Sequence, residues 1–320
     1  MQGLYQIAFF PSTQSRRMFA DLLEGLTSLP KKTSPKYFYD AAGSKLFDQI
    51  TELDAYYPTR TEMGIMQAEI KKMAKAIGPD ALLIEFGSGS SLKTRLLLDH
   101  LDDLAGYVPI DISESHLLET AAALRVLYPD VEILPVAADY TKPFDIPEPS
   151  KAVQKRIVYF PGSTIGNFEP SEAQAFLQQA AQVAGPAGSL LIGVDLKKDR
   201  ETLERAYDDP EGVTAAFNLN LVHRINRELA GSFDPAGFRH EAVWNEAEGR
   251  VEMHLVSLRD QTPLMCGRPI PFYEGERWHT ESSYKYTLDG FATLAAPWFT
   301  RRHVWTDDAE YFSVQFFDAK

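Results

Sequence analysis

The chain has 320 residues, 44% of them hydrophobic, and a formal net charge of −13. That is enough apolar material for one large domain or two, and so acidic a balance argues against nucleic acid or an anionic membrane as partner. A single cysteine, Cys266, leaves no internal disulfide and fits a reducing compartment, and no apolar run is long enough to span a bilayer. Residues 1–10 place no basic residue ahead of their short apolar patch, which makes a poor signal peptide. The expectation is a cytoplasmic protein, monomeric in view of its acidic surface.

Residues 16–28 follow a helical period that Pro30 to Pro35 breaks. Residues 36–57 are rich in aromatic side chains: Tyr37, Phe38, Tyr39, Phe47, Tyr56 and Tyr57. Residues 59–77 read as a helix, with Thr59 as cap and Glu62 three residues on. A strand–helix alternation then begins. Strands are expected over 81–86, 106–112, 131–137, 156–160 and 189–195. Helices are expected over 91–101, 113–127 (capped by Ser113) and 170–183. Repeated pairs of this length imply a mostly parallel sheet with right-handed crossovers. Beyond Asp195, residues 197–229 look helical, 237–258 and 280–286 read as strands, and 288–296 returns to helix. Residues 303–306 and 311–317 read as two strands joined through Asp307-Asp308. A closing hairpin of this kind is unusual for dehydrogenases. It is how methyltransferases of the S-adenosylmethionine class complete a seven-stranded sheet. The expected fold class is therefore α/β: a Rossmann-like, mostly parallel seven-stranded sheet with a terminal antiparallel hairpin (60–196 plus 287–320). A second α+β domain is expected from 1–59 plus 197–286, an N-terminal segment and an insertion.

The first strand of that alternation ends in Glu85-Phe86-Gly87-Ser88-Gly89-Ser90-Ser91-Leu92-Lys93. Glycines there let the backbone turn tightly and let a ligand come close. A dinucleotide fingerprint wants a third glycine where Leu92 stands, which counts against a nicotinamide cofactor. Glu85 suits the amino-acid end of S-adenosylmethionine, Asp111 at the end of the second strand can accept both ribose hydroxyls, and Asp139 and Tyr140 after the third can meet the adenine edge and face. Any one of these acids alone could equally be a solvated loop carboxylate or a helix cap. Their order at the ends of successive strands favours a ligand site. Lys93, in a first helical turn, opposes the positive helix end. It is either a surface lysine or a counter-ion for the cofactor's carboxylate.

Several stretches together carry a family resemblance: Pro35-Lys36-Tyr37-Phe38-Tyr39-Asp40, Gly43-Ser44-Lys45-Leu46-Phe47, Tyr56-Tyr57-Pro58-Thr59-Arg60-Thr61-Glu62, Glu85 to Ser90, Pro161-Gly162-Ser163-Thr164-Ile165-Gly166-Asn167-Phe168, Tyr207-Asp208-Asp209 with Gly212 to Asn218, and Glu281-x-Ser283-Tyr284-Lys285-Tyr286. Over essentially its whole length the chain resembles the histidine Nα-methyltransferases that make hercynine in ergothioneine biosynthesis. The resemblance implies S-adenosylmethionine as co-substrate, bound by Glu85, Gly87, Lys93, Asp111, Asp139 and Tyr140, and no metal. It implies L-histidine as substrate, with Asn167 and Tyr207 on the carboxylate and Glu281 and Ser283 on the imidazole. Tyr56 would touch the substrate, while Tyr39, Phe47 and Met253 would line the amine and ring pocket, and Tyr39 is the candidate to assist proton loss. Taken alone, Asn167 reads as a turn residue, Met253 as core and Glu281 as a solvated strand-edge acid. The nearest alternative acceptor is a tryptophan derivative, as in fungal relatives. Glu281 argues against it, because indole offers one N–H only.

Overall fold

The structure, a computed structural model, describes residues 13–89 and 92–320. The patch at 1–10 and the hydroxyl pair Ser90-Ser91 therefore lie outside the described residues. In chain order the elements are α1 (Thr13–Thr27), β1 (Lys31–Lys32), α2 (Ala41–Glu52), α3 (Tyr57–Ile77), β2 (Ala81–Phe86), α4 (Leu92–Leu98), β3 (Gly106–Asp111), α5 (Glu114–Leu127), β4 (Val136–Ala137), β5 (Lys155–Phe160), α6 (Pro170–Ala184) and β6 (Ser189–Asp195). They continue as α7 (Arg200–Tyr207), α8 (Val213–Glu228), β7 (Phe238–Asn245), β8 (Arg250–Ser257), β9 (Leu264–Met265), β10 (Arg268–Pro269), β11 (Arg277–Tyr284), α9 (Leu288–Ala295), β12 (Phe299–Thr306) and β13 (Phe312–Ala319). The chain divides into two compact units, one of the described residues to Tyr57 with Lys198–Tyr284, the other of Pro58–Lys197 with Lys285–Lys320.

The second unit holds a seven-stranded sheet in the order β12-β13-β6-β5-β2-β3-β4. β2, β3, β4, β5 and β6 run parallel, while β13 is antiparallel to β6 and β12 to β13. Its central strands are apolar on both faces, as strands covered by helices on both sides must be. On one face Leu83, Tyr107, Ile157 and Leu191 meet Ile65, Met66, Ile70 and Met73 of α3 and Leu97 of α4. On the other, Leu82, Ile84, Val158 and Ile192 meet Phe176 and Leu177 of α6 and Phe291 of α9. The order reverses at β2, which has β3 on one side and β5 on the other. Ligands bind outside the carboxyl ends of the strands at such a switch point.

The first unit is built on the sheet β1-β11-β8-β7, antiparallel except for β1 beside β11. A register shift between His279 and Glu281 sets Glu281 opposite Met253 and Ser283 opposite Val251. Helix α8 lies on β7 and β8 and against α2. The segment ahead of α2 is tied to α8: Asp40 caps α2 by accepting from the Gly43 N–H at 2.7 Å, and also accepts from Asn220 Nδ2 at 2.9 Å and from Arg227.

Several expectations need correction. The α3 helix begins at Tyr57, so Thr59 lies inside it rather than at its cap, and Glu62 is turned inward to other partners. Ser113 stands at the N-cap of α5, but its side chain makes no cap bond. The stretch 131–137 is a two-residue strand, Val136–Ala137, preceded by one isolated bridge, Tyr107 to Ile133, so it follows β3 with an interruption between the two. The helical stretch 197–229 is two helices. The run is interrupted at Pro210 and Gly212, and Asp209 starts α8 afresh by accepting from the Val213 and Thr214 N–H groups at 2.9 and 2.7 Å.

Candidate functional site

In the second unit, the residues proposed for the cofactor stand at the strand ends beside the switch point. Gly87 has φ +72°, where glycine is free of a Cβ penalty, and a Cβ there would stand 3.5 Å from the ring of Tyr140. The Tyr140 ring is stacked on Phe86 with centroids 5.7 Å apart, edge-on to Phe160 and Phe176, and burial pushes its hydroxyl well up. Asp111 Oδ1 accepts from the Ser113 N–H at 2.9 Å. Asp139 is engaged locally: it accepts from the Thr141 N–H at 3.1 Å and from its hydroxyl, and pairs with Lys142 at 3.4 Å. These contacts hold its carboxyl below the usual carboxylate range despite burial.

Glu85 lies under α4 rather than in the open. Its carboxylate accepts from Thr94 Oγ1 at 2.7 and 2.9 Å and from the Tyr107 hydroxyl. Burial raises its pKa to about 7, against the opposing pull of those two hydroxyls and of Lys93. Lys93 itself is 17% exposed and forms an ion pair with Glu62 of α3. The turn after β5 comes next: the Gly162 N–H donates to both Glu62 oxygens, and Asn167 ends the 3-10 turn Thr164–Asn167. A cation, acids, a ring wall and a glycine backbone in this order suit a ligand with a carboxylate, a ribose and a base, so the residues present fit S-adenosylmethionine.

In the first unit a second group converges. Glu281 and Met253 are cross-strand neighbours, and Ser283 follows on the same face of β11. The Tyr207 hydroxyl, at the end of α7, shares a hydrogen bond of 2.8 Å with Ser283 Oγ. Tyr56 meets Tyr207 edge-on with centroids 6.1 Å apart and reaches Phe47 at 6.3 Å. Tyr39, 41% exposed, stands edge-on to Phe47 and Phe217, each 5.6 Å away. The group is thus a set of aromatic rings around two hydroxyls, an acid and a thioether.

Behind it stand residues with no role assigned from sequence. Asn218 Nδ2 donates to His240 Nδ1 at 2.9 Å and to the His254 carbonyl at 3.1 Å. A carbonyl can only accept, so this fixes the amide's orientation and leaves His240 Nε2–H to donate to the Tyr207 carbonyl at 2.8 Å. Burial holds His240 below its ordinary pKa. Asn218 and Phe217 fall in a stretch that carries the family resemblance, whereas only position marks His240. Glu62 also falls in such a stretch, three residues after Thr59, but its partners Gly162 and Lys93 leave no mark in the local sequence.

No group of three His, Cys, Asp or Glu among the described residues has the arrangement of a metal site. No helix of the described residues is long and apolar enough to cross a membrane. The model of one family, described as "Histidine-specific methyltransferase, SAM-dependent", matches residues 18–319. Among curated proteins, the chain is 43% identical to a histidine N-alpha-methyltransferase of Mycolicibacterium smegmatis over 92% of each chain. It is 44% identical to one of Mycobacterium tuberculosis, again over 92% of each. It is 32% identical to ergothioneine biosynthesis protein 1 of Neurospora crassa, over 81% of this chain and 30% of that longer protein.

Proposed function

The chain belongs to the histidine-specific, S-adenosylmethionine-dependent methyltransferase family, and from that premise we propose how its residues carry the reaction. The enzyme methylates the α-amino group of L-histidine. Three transfers give hercynine, the betaine, as a step of ergothioneine biosynthesis. Bound S-adenosylmethionine supplies a methyl group already activated by its sulfonium charge, so the reading calls for neither a metal nor a covalent intermediate.

The substrate roles follow the donor and acceptor chemistry. Asn167 and Tyr207 are neutral donors for the substrate carboxylate. Glu281 accepts from one imidazole N–H, and the Ser283 hydroxyl can donate to or accept from the other nitrogen. What supports this pairing most is that Glu281 and Ser283 share one face of β11, with the Tyr207 hydroxyl already bonded to Ser283 at 2.8 Å. Met253, opposite Glu281, is a pliable wall for a ring.

The α-amine, with a pKa of about 8 in model peptides, must give up its proton before transfer. Tyr39, Phe47 and Tyr56 surround it with aromatic rings, and desolvation there lowers that pKa. The Tyr39 hydroxyl helps pass the proton to water. The same ring faces attract the quaternary product cation, each contact contributing roughly 0.5 to 2 kcal/mol. On the cofactor side Glu85, Gly87, Lys93, Asp111, Asp139 and Tyr140 are the proposed binding residues. Mass spectrometry of L-histidine incubated with the purified protein and S-adenosylmethionine tests the whole reading. Trimethylated histidine is the expected product. Turnover of tryptophan in preference to histidine, or no methylated histidine above blank, would overturn it.

A further inference from the structure

The Glu62 carboxylate is 1% exposed, a condition charged groups reach only when paired. Its pairing is unusual in joining two elements at once. The Gly162 N–H reaches its oxygens at 3.0 and 2.9 Å, and Lys93 of α4 forms the ion pair. Room for the carboxylate is made by β6, which places Gly193 there: a Cβ at that position would lie 2.1 Å from Glu62 Oε1. The turn it holds is itself strained. Gly162 has φ +80° and Ser163 φ +56°, two successive left-handed residues, and for Ser163 that conformation is unfavourable. From the far side Ser163 Oγ accepts from the Asp195 N–H at 2.8 Å. The turn is therefore fastened at both ends, by α3 through Glu62 and by β6 through Asp195. Ile65 and Met66, both buried, anchor α3 one turn beyond Glu62.

We propose that Glu62 is a positioning residue for both ligands: one carboxylate sets the Lys93 ammonium and the turn that carries Asn167 as a single piece. This rests on the roles given above to Lys93 on the cofactor and Asn167 on histidine. Two effects of Glu62 oppose each other. It neutralises Lys93, which weakens long-range attraction for an anion. It also fixes where the ammonium stands, which strengthens binding of an anion in one place. Positioning is the larger effect, since a charge-assisted bond depends steeply on geometry.

The two arms separate by substitution. Glu62→Gln keeps an oxygen for the Gly162 N–H but removes the charge partner of Lys93. Calorimetry with S-adenosylhomocysteine should show affinity reduced roughly tenfold, the loss of about one charge-assisted bond. The KM for histidine should stay within about twofold, below the threshold of one lost neutral bond. Glu62→Ala removes both acceptors and should raise the histidine KM as well as the homocysteine-ligand Kd. Unchanged or tighter S-adenosylhomocysteine binding by Glu62→Gln would overturn the proposal, because charge screening would then be the whole effect. An unchanged histidine KM in Glu62→Ala would also overturn it. Should Glu62→Ala fail to fold, Glu62→Gln with Asn167→Ala as the reference for a lost carboxylate donor still decides. The calorimetric arm needs no histidine, so it reads out even if the proposed substrate is wrong. A normal wild-type turnover with unaffected variants sinks the positioning role alone.

Discussion

Glu85 carries a pH signature. Its pKa stands at about 7 in the fold against an ordinary 4.5, so between those values the folded chain keeps a proton that the unfolded chain releases. Stability is then greatest below the unfolded value and falls as pH rises through the folded one, by on the order of 3 kcal/mol in all. Replacing Glu85 by Gln should flatten this dependence. Thermal melts of the ligand-free protein from pH 5 to pH 8 should show the wild type losing ground to the variant as pH rises, and parallel curves would contradict it. A second prediction concerns Tyr207, whose hydroxyl meets Ser283 at 2.8 Å. Tyr207→Phe should raise the histidine KM severalfold and lower stability by only about 1 kcal/mol, the usual net worth of one hydrogen bond. Steady-state kinetics beside a melt separates the two effects. Residue types at strand ends were legible before any coordinates: an acid, glycines and a lysine after β2, acids after β3 and β4. Their partners were not. Asp139 turns out to be engaged by Thr141 and Lys142, and Glu62 by Gly162 one hundred positions away. A contact across that distance leaves no local pattern.

At the scale of elements, the segment presenting Tyr39 depends on Asp40. One carboxylate caps α2 and receives Asn220 and Arg227 from α8, and Arg224 holds the Tyr37 carbonyl at 3.0 Å. Asp40→Ala should cost about 1 to 2 kcal/mol through the lost cap alone, with more from the abandoned α8 donors. Histidine turnover should fall with it while S-adenosylhomocysteine affinity stays near wild type, checked by melting and calorimetry. Strongly patterned elements were readable to within a residue or two: β2, β6, α5 and α6 have apolar runs or periods that match their burial. Two expected elements differ from the structure, each for its own reason. The run from 197 to 229 carries its own break in Pro210 and Gly212, a local signal that a single-helix reading passes over, and Asp209 starts the second helix by accepting from two amides ahead. The strand expected over 131–137 has the right residues, but only Val136 and Ala137 form a continuous ladder with β3.

Across the whole molecule, ligands added in turn should protect two distinct sets of amides. Hydrogen exchange with S-adenosylhomocysteine alone should slow amides in 85–93, 111–113 and 161–163, and addition of histidine should then slow 253 and 281–283. Protection of the second set by the first ligand alone would count against the assigned roles. The interrupted order of the chain was also legible, because strand–helix alternation stops after Asp195 and resumes near Leu288. What no pattern could reveal is how tightly the interruption is closed. Lys197 N–H donates to the Tyr286 carbonyl at 2.9 Å and Tyr286 N–H to the Asp195 carbonyl at 3.1 Å, so the chain leaves and returns at one spot. Beside that spot β6 has β13 as its outer neighbour. On the ribosome this reverses the order of completion. The sheet of the first unit has all its strands once Tyr284 has been made, while the sheet begun at β2 waits with β6 bare along one edge until the last strand emerges. An apolar strand edge held open through that interval is a template for other nascent chains. Translation that stops before Phe312 should therefore yield aggregates rather than a smaller soluble protein.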